Sequence, residues 1–569
     1  MPEAKGTGRR RLRSSDGIQR RSAWWWCVFL LVGFVLQLVV MNFVVLPYDE
    51  GLSLYGAVRV LHGQLPYRDF WTMYGPGEFY VLAGAFRLFG VYALWGRVLF
   101  LAVNSVSLAA VFYVAEELTQ RLWWSLGTAA VVFVWLSSVG SYEFPVYPAL
   151  TLILIAAVLM LRRWRDGGPR WAIYAGLALG IAALFRHDLA LYALVALCIA
   201  AVFDKLRDPA HALRERRRRA GAELLRLVVA AAAIVVPVVV LLLVFVPAHD
   251  LYYGLLYVPA RIYPKVRALP FPHLREVLHG LDPLRHLTTP PALGDAEYNI
   301  VWFPPIAVAM SLVWFVPVLR KRELPRFQVT GYLALFLLTA LLFLKGIVRV
   351  APLHMLQAVV PAIVLLGCSL ARWQRVHGAA RAALGFSGVW LAICVVAASH
   401  RDVNTLRANV LRLRNAEGRE SFAALCHPPA GLRGARCLEL GDEEAQAILY
   451  VERHTEPDDK IYVGAMRHDK LFANDIAFYF FSARESATKW HDLHPGVETT
   501  APIQRQMISD LEHNHAAYVI REPEDTVEPN GSNVSSGVRL LDDYIEQNYR
   551  PERSFGEIEI LRRTTPFTN

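Results

Sequence analysis

Apolar residues in this chain come in long unbroken runs rather than in the narrow stripes of a soluble amphipathic helix. A run of about 17–25 apolar residues, each rising about 1.5 Å, spans a hydrocarbon layer roughly 30 Å thick. Eleven runs approach that length, at 24–46, 94–115, 122–138, 147–161, 171–185, 189–203, 227–247, 301–319, 327–344, 349–370 and 382–399. The pattern predicts a polytopic α-helical membrane protein with about 11 transmembrane helices. The first run follows a basic tail (1–23) and a Trp24-Trp25-Trp26 cluster. It is too long for a cleaved signal and has no clear small-residue cleavage site, so it reads as an uncleaved anchor. A shorter apolar segment, 76–93, carries Glu78 and Arg87 and predicts a helix lying at the outer surface.

Beyond residue 399 the pattern changes. EAQAILYVERHT predicts a helix, PDDKIYVGA a turn and strand, and NDIAFYFFSAR a helix. QRQMISDLEHN predicts a helix, HAAYVI a strand, LDDYIEQNY a helix and EIEILRR a strand. Alternating elements of this kind make an α/β domain over 400–569. Residues 24–399 form the membrane domain, with surface helices in its first outer loop at about 50–93.

Composition supports lipid as the main solvent. Of 569 residues, 55% are hydrophobic and 19% charged, whereas a soluble chain has about 45–50% and about 25%. A disordered chain, a collagen-like fibre and a disulfide-stapled miniprotein are excluded. The net charge of +10 divides unevenly: the first 399 residues hold 39 basic and 21 acidic groups, the rest 20 and 28. The basic excess sits in alternate loops, at 9–21, 162–170, 205–226, 320–326 and 372–381. The positive-inside rule then makes the N-terminus cytoplasmic and the acidic tail extracytoplasmic. The RERRRR run is a topology determinant and anionic-lipid contact rather than a nucleic-acid site. Cys426 and Cys437 both fall in the exported tail, where a disulfide is permitted.

The outer loops hold the polar chemistry. In the first, Asp49 and Glu50 stand just past the first span, followed by Leu54, Ala57, Val58 and Leu61 at helical spacing. Helix N-terminal charge explains an acidic pair there. The company of Arg59, His62, Arg68, Asp69, Tyr74 and Glu78 favours a functional site. The second outer loop has one charge, Glu143, and the third is the tight turn Arg186-His187-Asp188. Ionisable groups at a span junction are costly unless paired or facing a cavity. The fourth, 248–300, offers Arg261, Lys265 and Arg267, and the fifth, KGIVRVAPLH, offers Arg349 and His354. Bases on this side of the membrane point to a buried anion such as a lipid phosphate, or to snorkelling side chains.

Three stretches, PYDEG at 47–51, PYRDFWTMYGPGEFYVLAGAFRLFG at 66–90 and RVAPLHMLQAVVPAIVLL at 349–366, resemble the GT-C superfamily of membrane glycosyltransferases. The tail stretch HTEPDDKIYVGA resembles the start of their exported domain. The branch indicated is that of protein O-mannosyltransferases, lipid A aminoarabinose transferases and Rgt-like bacterial enzymes. The resemblance implies transfer of a sugar from a polyprenyl-phosphate carrier to an acceptor (glycan, lipid or protein) outside the bacterial plasma membrane. It implies an inverting displacement with Asp49 as general base, Glu50 assisting and Glu143 as a second acid. Arg349 and His354 would bind the donor phosphate, with Arg186, His187 and Arg261 further candidates on position. Arg68, Asp69 and Tyr74 would face sugar or acceptor. Some relatives use a divalent metal, which Asp49, Glu50 and Glu143 could hold. Many relatives have Lys-Pro-Pro where this chain reads Tyr74-Gly75-Pro76-Gly77, so another base must touch the phosphate.

The rival functions are a glycan polymerase or ligase with a lipid-diphosphate donor, and a lipid-linked-glycan transporter. Transporters place ionisable groups near the bilayer midplane, whereas here they cluster at span ends. The topology has a direct check. Alkaline phosphatase fused after Asn569 is expected to be active in cells, and green fluorescent protein fused there to stay dark.

Overall fold

The computed structural model describes residues 26–140, 142–273, 290–523 and 528–567. The tail 1–23, Trp24, Trp25 and residues 274–289 of the fourth outer loop lie outside the described residues. A short apolar helix, α1 (Trp26–Val39), comes first. Two 13-residue helices, α2 (Asp49–Leu61) and α3 (Gly77–Phe89), fill the first outer loop. The long apolar helices follow: α4 (Leu94–Thr119), α5 (Leu122–Val139), α6 (Val146–Asp166), α7 (Arg170–Leu206), α8 (Leu213–Phe245), α9 (Pro290–Lys321), α10 (Arg326–Gly346), α11 (Pro352–Leu370) and α12 (Gly378–Arg414). All nine are long and apolar enough to cross a membrane, among the described residues.

Nine and eleven differ for two reasons. Of the first expected run the described residues show helix over Trp26–Val39, which ends short of residue 46. The runs 171–185 and 189–203 both lie in α7, whose helical geometry breaks at Arg186 (φ −139°, ψ 89°). Arg163, just before α7, pairs with Glu223 of α8, and Asp208, just after it, pairs with Arg219 of α8. Both ends of α7 therefore meet one end of the bundle. Its middle reaches the other end, where the Gly75 N–H donates to the Phe185 carbonyl at 3.2 Å. α7 is thus a helical hairpin folded at Arg186-His187-Asp188, each arm roughly 25 Å long. Gly75 is required there, since a Cβ would stand 2.1 Å from the Leu184 carbonyl oxygen.

The C-terminal part carries a five-stranded sheet in the order β2-β1-β3-β5-β4, with strands β1 (Lys460–Ala465), β2 (Glu485–Ser486), β3 (Tyr518–Glu522), β4 (Tyr549–Phe555) and β5 (Ile558–Arg563). β1 pairs in parallel with β2 and β3, and β5 runs antiparallel to both β3 and β4. The helices expected near 442–454, 477–482, 501–513 and 540–548 all form. Cys426 and Cys437 are disulfide-bonded. α12 continues as helix to Arg414, so the expected domain boundary at residue 400 falls inside a helix.

α2 is where bundle and sheet domain meet. It was expected to lie along the membrane; instead its residues Glu50 to Ala57 are buried, because the sheet domain covers its outer face. Tyr55 stacks on Tyr479 with ring centres 4.8 Å apart, and its hydroxyl accepts the Ser486 N–H at 2.6 Å. A Cβ on Gly51 would stand 2.3 Å from the Ala477 nitrogen. From the bundle side, Arg97 of α4 donates to both Glu50 oxygens at 2.6 Å and to the Asn42 and Val44 carbonyls at 2.8 Å. The pair is 1% and 3% exposed. Leaving one member of such a pair alone costs about 3–5 kcal/mol, whereas removing both costs far less. Arg97→Met is therefore expected to lower the thermal midpoint in detergent sharply, and Glu50→Gln in the same chain to restore much of it.

Candidate active site

Asp49 opens α2, and its carboxylate accepts a hydrogen bond from the Tyr142 hydroxyl at 3.2 Å. Desolvation by the surrounding protein pushes its pKa above the usual carboxylate value; Tyr142 and the charges of Arg267 and Arg349 offset part of that. Nearby, Glu143 and Glu78 are buried, and none of their four oxygens has a hydrogen-bond partner among the described residues. Burial raises Glu78 to about 8, and burial together with the charge of Glu78 holds Glu143 well above the usual carboxylate value.

A basic cleft adjoins Asp49 at the α7 fold. Two neighbouring recesses, of about 350 and 450 Å³, share Arg186, Tyr263, Lys345 and His354. The first also meets Phe144 and Arg349, the second Tyr74, His187 and Asp188. Each pair of bases here has one carboxylate. Arg186 forks onto Asp188 at 2.9 and 3.0 Å, and Lys345 approaches Asp188 at 3.3 Å. Arg349 forks onto Glu528 of the sheet domain, one bond being 2.7 Å, and donates to the Arg267 carbonyl at 2.8 Å. Arg267 is 5% exposed and lies 3.9 Å from Glu528, with its guanidinium 4.1 Å above the Phe472 ring. Its Nε and Nη1 have no hydrogen-bond partner among the described residues. His354 meets the Tyr263 hydroxyl at 3.1 Å through Nε2, and its Nδ1 is unpartnered.

Not every expected residue comes to this place. Glu50 is committed to Arg97. Arg68 and Asp69 pair with each other on an exposed turn, at 2.8 Å. Arg261 is exposed and lines neither recess. Tyr74, Arg186, His187, Arg349 and His354 do line the cleft. Lys345 stands in it as well, a base the missing Lys-Pro-Pro motif left unassigned.

The sheet domain adds residues that sequence reasoning did not single out. The Tyr48 hydroxyl lies 2.9 Å from Asp492 and 2.6 Å from His494 Nε2, and both partners are buried. Their signal was the polar cluster HDLHPG at 491–496, directly after Trp490 in a stretch with no regular pattern. Glu528 left no signal, since a lone Glu in an acidic tail is unremarkable by sequence. Among the described residues no group of three or more His, Cys, Asp or Glu side chains is placed to hold a metal ion.

No protein-family model and no curated relative matches the chain. Solved structures do. ArnT from Cupriavidus metallidurans bound to undecaprenyl phosphate is 14% identical, covering 96% of this chain and 98% of its own, with a TM-score of 0.55. The same protein in the apo state gives 14%, 95% and 98%, and 0.54. An Archaeoglobus fulgidus oligosaccharyltransferase in the apo form is 12% identical, covering 88% and 70%, with a TM-score of 0.51. Over nearly the whole chain the fold is therefore the one these structures share, in line with the resemblance to GT-C enzymes in the sequence.

Burial also raises Asp492, to about 7. Between about pH 4 and pH 7 the folded protein thus keeps a proton that the unfolded chain has released, so stability falls as pH rises through that window and levels off above it. Thermal midpoints measured from pH 4 to 8 should show a shallower decline in Asp492→Asn than in the wild type.

Proposed function

We propose that this chain is an integral membrane glycosyltransferase that moves a sugar from a polyprenyl-phosphate carrier to an acceptor hydroxyl on the extracytoplasmic face. The observation that carries this reading is a buried carboxylate, Asp49, within electrostatic reach of Arg267 and Arg349, beside a cleft lined by Arg186, Lys345 and Arg349. Asp49 takes the acceptor's proton as the acceptor oxygen attacks the anomeric carbon. The bond from that carbon to the phosphate oxygen breaks with inversion, and the phosphate leaves with the electron pair. A base desolvated in this way is stronger at neutral pH than a free carboxylate. Charge develops on the departing phosphate in a low-dielectric cleft, where fixed cations count most. Arg349, Arg267, Arg186 and Lys345 supply them. Tyr74, in the wall of the cleft, would donate a hydrogen bond to sugar or acceptor.

The fold supports the reading, since ArnT, with the same architecture, was solved with undecaprenyl phosphate. A divalent metal fits poorly: both Glu50 oxygens belong to Arg97, and no three-ligand group stands among the described residues. The mechanism above uses none.

A positioned general base contributes about 10²–10⁴-fold. Asp49→Asn should lower kcat by that order while detergent-purified protein keeps its elution volume and thermal midpoint. Undiminished sugar transfer by Asp49→Asn would remove Asp49 from the mechanism. Mass spectrometry of lipid co-purified with the wild type is expected to find a polyprenyl phosphate or its glycosylated form.

A further inference from the structure

The bases of the cleft are too strongly compensated for a site built only to hold phosphate tightly. Arg349 and Arg267 carry two positive charges in a buried setting, and Glu528 stands within ion-pair distance of both. Glu528 comes from another part of the fold, a loop after β3 of the sheet domain, and is itself held by Asn530 at 2.8 Å. Among the described residues the arginines leave nitrogen atoms unsatisfied despite this partner: Arg267 Nε and Nη1 and Arg349 Nε are buried with no acceptor there. The carboxylate thus cancels charge without completing the hydrogen bonding. What remains is a site with one net positive charge and three donor nitrogens free.

That balance matches one of the two anions the proposed reaction handles. A polyprenyl phosphoryl sugar is a phosphodiester and carries one negative charge. When the C1–O bond breaks, the electron pair stays on the phosphate oxygen and the proton of the acceptor goes to Asp49. The product, a polyprenyl phosphate monoester, carries close to two negative charges above its second pKa of about 6. A fixed negative charge repels a dianion twice as strongly as a monoanion at the same place, because Coulomb energy is linear in each charge. A lipid diphosphate, the donor of the rival polymerase class, is disfavoured in the same way.

We propose that Glu528 is a specificity-determining residue of the phosphate site. It sets the charge there to suit a monoanionic phosphodiester donor, weakens the hold on the dianionic product, and discriminates against lipid-diphosphate donors. This inference rests on the reading of Arg349 and Arg267 as donor-phosphate ligands. Without Glu528 the site binds more tightly, but to the wrong partner: product stays, and turnover slows at release.

The test compares two probes on the full chain in detergent at pH 7.5 and fixed ionic strength: polyprenyl phosphate and its monomethyl ester. Glu528→Gln is expected to tighten binding of the ester about tenfold and of the phosphate about a hundredfold, the square of the first factor. Glu528→Ala should reproduce both gains, which separates charge from a loss of fold in one variant. Glu528→Asp, keeping the charge, should stay within about threefold of wild type for both probes. Equal gains for the two probes, no gain, or a uniform loss overturns the role given to Glu528. Such a loss would mean that the carboxylate merely holds Arg349 in place. If wild type binds neither probe, the donor reading itself is overturned, and this inference with it.

Discussion

The buried pair between Glu50 and Arg97 is the constraint on which the rest of this molecule hangs. It ties the first turn of α2 to α4 of the bundle with two 2.6 Å bonds in a place with almost no water. Arg97 spends its remaining donors on the carbonyls of Asn42 and Val44, so the chain leaving α1 is held as well. With α2 held in this way, the sheet domain packs on its other side through Tyr55, Tyr479 and Ser486. Asp49 sits next to Glu50 in sequence, so the direction of its carboxylate follows from that anchoring. Two adjacent acids thus have unlike partners: Glu50 is neutralised by Arg97, whereas Asp49, among the described residues, accepts only the Tyr142 hydroxyl.

The cleft follows a second electrostatic rule. Four bases gathered near one end of apolar helices cannot remain unpaired in a low-dielectric setting. The molecule answers with one carboxylate for each two bases, Asp188 for Arg186 and Lys345, Glu528 for Arg349 and Arg267. Partial compensation holds the bases in place and leaves net positive charge there. The fold of α7 serves the same end. By turning back at Arg186 it brings Arg186 and Asp188 to the level of Lys345 at the end of α10.

Much of this was legible in the chain. Apolar run length marked the spans, and the break at Arg186-His187-Asp188 marked the α7 fold, because charges in mid-run are tolerated only at a turn or a cavity. PYDEG marked α2 and its acids, and the alternating pattern past residue 440 marked the sheet domain. Glu50 reads in the sequence as assisting Asp49 because its partner, Arg97, lies 47 residues away inside an apolar helix. Arg68 and Asp69 looked like site residues by crowding alone, yet they satisfy each other at the surface. The segment 49–61 was expected on the membrane because nothing in its own pattern reveals that a domain some 430 residues later covers it.

The sequence by itself determined the solvent, the placement of the apolar helices apart from the short α1 and the fold of α7, and the class of fold. These are properties of local composition and periodicity, which each segment carries in its own residues. The tertiary structure alone decided which charges are spent on one another and which remain for chemistry. Tyr48 with Asp492 and His494, Glu50 with Arg97, and Arg349 with Glu528 pair residues distant in sequence. Coulomb energy depends on separation in space and on the local dielectric, and neither is set until the chain is folded.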